Sequence, residues 1–189
     1  QSPIHFESPS NRGIDVGILS RFSLDGEATR HPVDISDIDP SPTRDIIEAT
    51  FTISDGERLR VAANHWPSLN HVVQTRHVAA QIIREIALRS RREQVPFVAV
   101  GDFNTLPSEN PNPIEDNIAD NSLQERGCPL VDLQDYLGGY ADIDWSGTHY
   151  YRGEWSPLDR ILVSKGLMQH ESSLQIFPSS FGVHAPDYL

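Results

Sequence analysis

The sequence predicts an α/β sandwich in preference to a doubly wound sheet. Short strand-like runs predominate, one long amphipathic helix crosses between two of them, and the loops are long. Residues 1–12 are polar, hold two prolines and read as loop. Ile14 to Ser20 reads as a mostly buried strand, and residues 23–44, with their charges, Pro and Ser, as a long surface loop. Ile46 to Ile53 is β-branched and partly alternating, Ser54-Asp55-Gly56-Glu57 is a turn signal, and Leu59 to Ala63 is a second strand, so the two form a hairpin. Val72 to about Arg92 reads as a helix. Val72, Arg76, Ala79, Ile83 and Ile86 fall on one stripe, with Ile82 beside it. Arg84, Arg89, Arg91 and Arg92 crowd its C-terminal end, where cations suit the helix dipole, and Pro96 ends the segment. Phe97 to Val100 fits a buried strand, followed at once by Gly101-Asp102-Phe103-Asn104. Residues 105–121, rich in Pro, Asn and acids, read as loop; Leu158 to Val163 and Leu174 to Phe177 read as two more strands.

The 189 residues, 38% of them hydrophobic, are enough for a packed core and for one domain or a large part of one. No run approaches the roughly 18 apolar residues of a membrane span. A single cysteine, Cys128, excludes an intrachain disulfide and a zinc–cysteine site. Fifteen basic against 27 acidic residues give a net charge of -12, which argues against a general attraction to nucleic acid or anionic membrane. The charge is uneven. Residues 51–100 hold seven Arg and four acids, whereas residues 101–150 hold one Arg and ten acids.

Three polar clusters sit at strand ends, where side chains can converge. After Leu59–Ala63 comes Asn64-His65-Trp66-Pro67-Ser68; a His there can donate a proton or bind an anion, although a loop His bonded to backbone is the plainer account. After Phe97–Val100 comes the second cluster. Alternation along an extended chain puts Asp102 and Asn104 on one side with Phe103 opposite. A carboxylate beside a carboxamide can orient a water or offer oxygens to a hard cation such as Mg²⁺; an Asx turn explains the same residues. The third cluster is Ser156 to Ser164, with Asp159 at the mouth of an apolar strand. It can orient a His, or it can form a surface pair with Arg160. Tyr150-Tyr151-Arg152-Gly153-Glu154-Trp155 can stack on a ligand or be an ordinary aromatic hairpin. His71 and His77 lie on different sides of a helix, and Cys128, beside Pro129, reads as a small filler and not as a nucleophile.

Together, the order NHWPS, amphipathic helix, GDFN and LDRILVS resembles the endonuclease/exonuclease/phosphatase superfamily, and Asn11 to Arg21 (NRGIDVGILSR) looks like that family's RGIDVALL-type strand. The resemblance runs from about Glu7 to about Ser164. It implies a Mg²⁺-dependent phosphoric ester hydrolase built as a two-sheet α/β sandwich with flanking helices, its site in the strand-end loops. By resemblance, His65 matches the residue that contacts or protonates the phosphate. Asp102 and Asn104 match the pair that positions the attacking water and the scissile phosphate, and they are the expected metal-side residues. Asp159 matches the acid that orients a catalytic His.

Departures from the pattern shape the remaining expectations. The family's metal-binding Glu lies upstream of the RGIDV-like strand, where only twelve residues precede Gly13. Its terminal Ser-Asp-His is not matched by Gly182 to Leu189, and neither His184 nor Asp187 is assigned a role. Residues 1–189 are therefore expected to be a partial domain, an incomplete sandwich, and inactive or nearly so by themselves. A non-catalytic binding or scaffold module is the alternative. The chain is expected to be monomeric, with a phosphoester substrate whose class (nucleic acid, phosphoinositide or phospholipid head group) the sequence leaves open.

Overall fold

The computed structural model describes residues 3–7, 13–53, 56–120, 127–137, 147–169 and 174–177. The hairpin forms where the β-branched runs predict it: β5 (Ile46–Thr52) and β6 (Arg58–His65) pair antiparallel with Ile47 opposite Ala63 and Thr52 opposite Arg58. Short strands precede them. β1 (Ile4–His5) and β2 (Gly17–Ile18) pair with each other, while β3 (Ser23–Leu24) and β4 (Thr29–His31) both lie along the outer edge of β5. From β6 the chain crosses over through α1 (Val73–Arg92) to β7 (Phe97–Asp102), which is parallel to β6. β8 (Leu130–Asp132) leads into α2 (Leu133–Leu137); β9 (His149–Tyr151) and β10 (Glu154–Ser156) form a separate hairpin; β11 (Asp159–Ser164) leads into α3 (Lys165–Met168). The central sheet has seven strands in the order β3-β5-β6-β7-β11-β8, with β4 also on β5. This is the α/β class expected.

Burial explains the arrangement. The α1 stripe of Ala79, Ala80, Ile83, Ile86 and Ala87 packs on one sheet face, against Ala62, Phe97, Ala99 and Leu162. The opposite face carries a second cluster, Val131, Leu133, Leu137, Val163 and Leu167, with Val98 and Ile161 against it. Strand β7 is thus apolar on both faces, which is why its sequence reads as a continuous run instead of an alternating one. The helix ends with Arg89, Arg91 and Arg92 in its last turn, as its dipole favours. Val72, assigned to the stripe, instead stands at the helix N-terminus, exposed.

Other expectations are corrected. Ile14–Ser20 is not a buried strand: Leu19 is 79% exposed, and among the described residues the segment pairs only through Gly17–Ile18 with β1, in a two-stranded sheet apart from the central one. Residues 23–44 are not all loop, since β3 and β4 supply the hydrogen-bonding edge that β5 would otherwise leave open. Leu174–Phe177 forms no ladder. Leu174 and Ile176 rest on the second cluster, and the Ile176 N–H donates to the Leu167 carbonyl at 3.4 Å.

A buried ion network ties the helix to the sheet. Glu48 on β5 accepts from Arg89 of α1, lies 2.8 Å from His31 Nε2 of β4, and its Oε1 lies 3.0 Å from Arg60 Nε of β6. Burial alone would raise the Glu48 carboxyl; the His31 hydrogen bond and the Arg89 and Arg60 charges outweigh it and hold the group below its ordinary 4.5. An acid with a lowered folded pKa stabilises the fold above its unfolded pKa and loses that contribution as pH falls through the folded value. Glu48→Gln should therefore lower stability at pH 7 and flatten the loss of stability below about pH 4.5. Urea unfolding at pH 3 to 7 measures this; parallel pH profiles for the two proteins would refute it.

Candidate functional site

The site is built from one rung of the central sheet. In register, His65 at the end of β6 faces Asp102 at the end of β7, and Asp102 faces Asp159 at the start of β11. Partners in register share a sheet face, so the three polar side chains lie abreast on the face opposite α1. Neighbouring strands are about 4.8 Å apart, which puts His65 and Asp159 about 10 Å from each other with Asp102 between them. Three segments distant in sequence thus meet as strand-end polar residues.

Apolar anchors hold the rung from below. Trp66 and Phe103, the residues after His65 and Asp102, are both fully buried and meet edge to face with centroids 4.7 Å apart. The Trp66 N–H donates to the Asp102 carbonyl at 2.9 Å, and the Phe103 N–H to the Leu158 carbonyl at 2.9 Å, extending the ladder one step past the strands. Asn64 supports the same corner. Its Oδ1 accepts from Trp66 Nε1 at 3.0 Å, and its Nδ2 donates to the Ala62 and Val100 carbonyls.

Gly101 is required by this close approach. It sits at φ 126, where a Cβ would lie 2.1 Å from the Asn64 carbonyl oxygen. Gly101→Ala should destabilise the protein by more than about 2 kcal/mol, through backbone strain and the clash together. A thermal melt within 2 °C of the parent would show that the corner yields.

Asp102 and Asn104 come together differently from the expectation. The chain leaves the extended form, with Asn104 at φ 45, and the Asn104 N–H donates to Asp102 Oδ1 at 2.8 Å. An Asx turn, not strand alternation, joins the pair. Asp102 Oδ2 is left 3.7 Å from His65 Nε2, with both side chains about 30% exposed. Asn104 is buried at 6%, its Nδ2 donating to the Trp66 carbonyl at 3.1 Å. That bond fixes the amide so that Oδ1 is the atom turned away from Trp66. Arg44 Nη2 donates to the same carbonyl at 3.0 Å. Sequence reasoning missed Arg44, whose only signal was a charge beside Thr43 and Asp45 at the start of β5.

Asp159 occupies the rung but has no His beside it among the described residues. Its N–H donates to Thr148 Oγ1 at 3.0 Å, and His65 lies on the far side of Asp102. Nor does Asp159 pair with Arg160. Adjacent residues on a strand face opposite ways, and Arg160 turns inward to Asp132 Oδ2 at 3.0 Å. The Gly182–Leu189 segment, with His184 and Asp187, lies outside the described residues, as do Asn11 and Arg12.

The remaining titratable groups stand apart. His71 Nδ1 lies 2.9 Å from Asp39 Oδ2, and His77 meets Asn117. A cavity of about 290 Å³, lined by Ser90, Arg91, Cys128, Ser164 and Lys165 among others, opens at the opposite ends of β7 and β11 from the rung. Burial and then the nearby Asp120 charge push the Cys128 thiol up, which fits a filler and not a nucleophile.

A divalent cation is the group that the family resemblance implies. Among the described residues, no three His, Cys, Asp or Glu side chains converge to hold one. The donor set fits part of a shell: the Asp102 carboxylate and the Asn104 carboxamide are hard oxygens, and Mg²⁺ commonly takes one or two carboxylates with water and substrate phosphate.

Comparison with known proteins agrees with the architecture. The chain superposes on the human Nocturnin catalytic domain with bound sulfate at a TM-score of 0.62 and 16% identity, over 88% of this chain and 61% of that one. ANGEL2, described as a 2',3'-cyclic phosphatase, gives 0.62 at 13% identity over 86% and 62%. D. rerio TDP2 complexed with a single-strand DNA product gives 0.55 at 16% over 76% and 54%. At these identities the likeness is one of fold, and the chain spans less than two thirds of each of those chains. No curated protein matches the sequence. No helix of the described residues is long and apolar enough to cross a membrane. The family profile described as Endonuclease/Exonuclease/phosphatase family matches residues 2–189, so the motifs His65, GDFN and Asp159 fall within a match that spans nearly the whole chain: it belongs to the endonuclease/exonuclease/phosphatase family.

Proposed function

We propose that this domain hydrolyses phosphoester bonds by attack of water on phosphorus, with His65, Asp102, Asn104 and Asp159 as the residues that carry it and Mg²⁺ as the assisting cation. The observation that carries the reading is the single rung on which His65, Asp102 and Asp159 stand abreast, with Asn104 bonded to Asp102. Chance gives residues from three strand ends no reason to meet there. Family membership supports the same chemistry. So do two relatives in fold, ANGEL2, a 2',3'-cyclic phosphatase, and D. rerio TDP2, complexed with a single-strand DNA product.

In this reading Asp102 is the base. One carboxylate oxygen is held by the Asn104 N–H, which leaves the other to take a proton from the attacking water as its oxygen bonds to phosphorus; the bond from phosphorus to the ester oxygen breaks, and the departing oxygen takes a proton from solvent. Asn104 Oδ1, fixed by the bond from Nδ2 to Trp66, accepts a hydrogen bond from the other O–H of that water and so orients it. His65, whose Nε2 lies 3.7 Å from Asp102 Oδ2, donates a hydrogen bond to a phosphate oxygen as negative charge builds in the transition state. Asp159 bounds the far side of the phosphate position. Asp102 and Asn104 would hold a divalent cation through their oxygens, and that cation would supply neutralisation of the phosphate charge.

An assay of bis(p-nitrophenyl) phosphate and a small panel of phosphomonoesters, with Mg²⁺ and with EDTA, tests the proposal. EDTA-sensitive turnover that is lost in Asp102→Asn is the expected result for the domain. Absence of turnover by both the chain and a longer protein containing it would favour the scaffold alternative.

A further inference from the structure

The rung uses one end of β7 and β11. At their other ends the cavity of about 290 Å³ opens between the C-terminal end of α1 and α3, a volume at the small end of ligand sites. The length of β7 separates it from Asp102, about 17–20 Å at the rise of an extended chain. Ala87, Val95, Pro96, Pro129 and Leu167 give it apolar wall. The charged residues that line it are both cations, Arg91 and Lys165, and among the described residues no acid does. Lys165 Nζ lies 3.1 Å from Asp120 Oδ1, which engages one of its three N–H donors. The Arg91 guanidinium carries five, so it can serve a ligand as well as the protein.

Two neutral donors join them. Ser164 Oγ accepts from the Phe97 N–H at 3.1 Å, and its own proton has no acceptor among the described residues. Gln94 also lines the cavity, and its side-chain amide makes no hydrogen bond among the described residues. This residue stands where a glycine is expected. α1 closes in a Schellman motif, with the Val95 N–H donating to the Ser90 carbonyl at 3.0 Å and the Gln94 N–H to the Arg91 carbonyl at 3.2 Å. Such a closure places its middle residue in the left-handed region, which favours Gly, yet Gln94 adopts it at φ 55. Helix closure alone does not call for an amide there. A helix C-terminus ordinarily disfavours an anion, but this closure takes up the Ser90 and Arg91 carbonyls.

We propose that the cavity is a second ligand site, for a small organic monoanion. Its carboxylate is held by Arg91, Lys165, Ser164 and the Gln94 amide, and its compact apolar body packs on Val95 and Leu167. Donors and cations without a lining acid select an anion, and the apolar wall selects a carbon body. A carboxylate fits better than a phosphate dianion, because Lys165 already shares its charge with Asp120 and the two cations match one negative charge more readily than two. The site is separate from the rung and does not depend on the phosphoester reading.

Cys128, the only cysteine, lines the same cavity and so reports its occupancy. Its alkylation by N-ethylmaleimide at pH 8 is followed by mass while benzoate is titrated. Acetate, with the charge but little apolar body, and benzamide, with the body but no charge, are controls at equal ionic strength. Benzoate should slow alkylation at least fivefold at saturation, with a midpoint about tenfold lower than that of either control. Arg91→Met should raise the benzoate midpoint about tenfold. Gln94→Gly should raise the melting temperature, by relieving the left-handed residue, and yet raise the midpoint at least threefold. Melting temperatures confirm that both variants are folded. No slowing by benzoate, an equal midpoint for acetate or benzamide, or an unchanged midpoint in either folded variant would overturn the proposal.

Discussion

Asp102→Asn should lower phosphodiester turnover by about 10²- to 10⁴-fold while leaving the fold intact. The substitution separates two roles of the side chain. An Asn retains the Oδ1 acceptor that receives the Asn104 N–H, so the Asx turn survives. It has the same shape, and a rung position about 30% exposed demands no repacking. What disappears is the negative charge, and with it, in the proposed mechanism, the base for water and the carboxylate of the cation shell. Both losses fall on the chemical step, so the drop belongs in kcat. His65→Gln should lose less, since it removes one donor and leaves the base. Equal kcat for Asp102→Asn and the parent would show that the rung is not where the reaction occurs.

Arg160→Met should destabilise the protein by about 3–5 kcal/mol at pH 8, an effect of the size expected when one partner of a buried ion pair is removed. Arg160 and Asp132 are 2% and 3% exposed and joined at 3.0 Å, with Asp135 also within 3.4 Å of the guanidinium. Burial pushes the Asp132 carboxyl up to about 6, against the pull of Arg160 and of the Gln134 N–H. The sign of the pH effect follows. A carboxyl with a raised folded pKa is more easily protonated folded than unfolded, so its favourable contribution is present at low pH and lost as pH rises from its unfolded 3.8 through the folded value. Without Arg160 that folded value climbs further. The penalty in Arg160→Met should accordingly shrink from pH 8 to pH 5, where Asp132 takes up a proton. Asp132→Asn in the same background should remove the pH dependence. Chemical unfolding at the two pH values measures both, and a pH-independent penalty would contradict the account.

The parts of the fold that sequence carries are those fixed by local pattern. The α1 stripe, the β5–β6 hairpin and the apolar run of β7 each satisfy a periodicity that no other packing would use. The candidate residues were legible for a related reason, since His65, Asp102 and Asp159 each abut an apolar run and so must sit at a strand end. Their meeting was not legible, because register between distant strands is set by partners the local sequence does not name. Arg160 shows how a reading by adjacency fails. Its neighbour Asp159 looked like its partner, yet strand alternation sends the two to opposite faces, and the true partner lies on β8. Asn104 was legible as the partner of Asp102, but by the Asx turn and not by alternation, because a left-handed residue breaks the extended strand. Ile14–Ser20 and Leu174–Phe177 have strand-like composition, yet the first keeps only a two-residue ladder with β1 and the second joins no ladder among the described residues; propensity without an edge does not make a strand.

If the rung is the reaction centre proposed above, its strand pairing has a consequence for how activity is acquired. Its three residues are brought level by a parallel pairing across a helical crossover and by an antiparallel pairing across a long acidic stretch. Both are non-local, and non-local pairings form late because chain closure must precede any gain in contacts. The β5–β6 hairpin and α1 can form early, yet neither contains more than one member of the rung. On that reading competence arrives only when β6, β7 and β11 have all paired. A folding intermediate that already has its helix and hairpin would be catalytically silent, and recovery of turnover during refolding should lag behind recovery of helical signal.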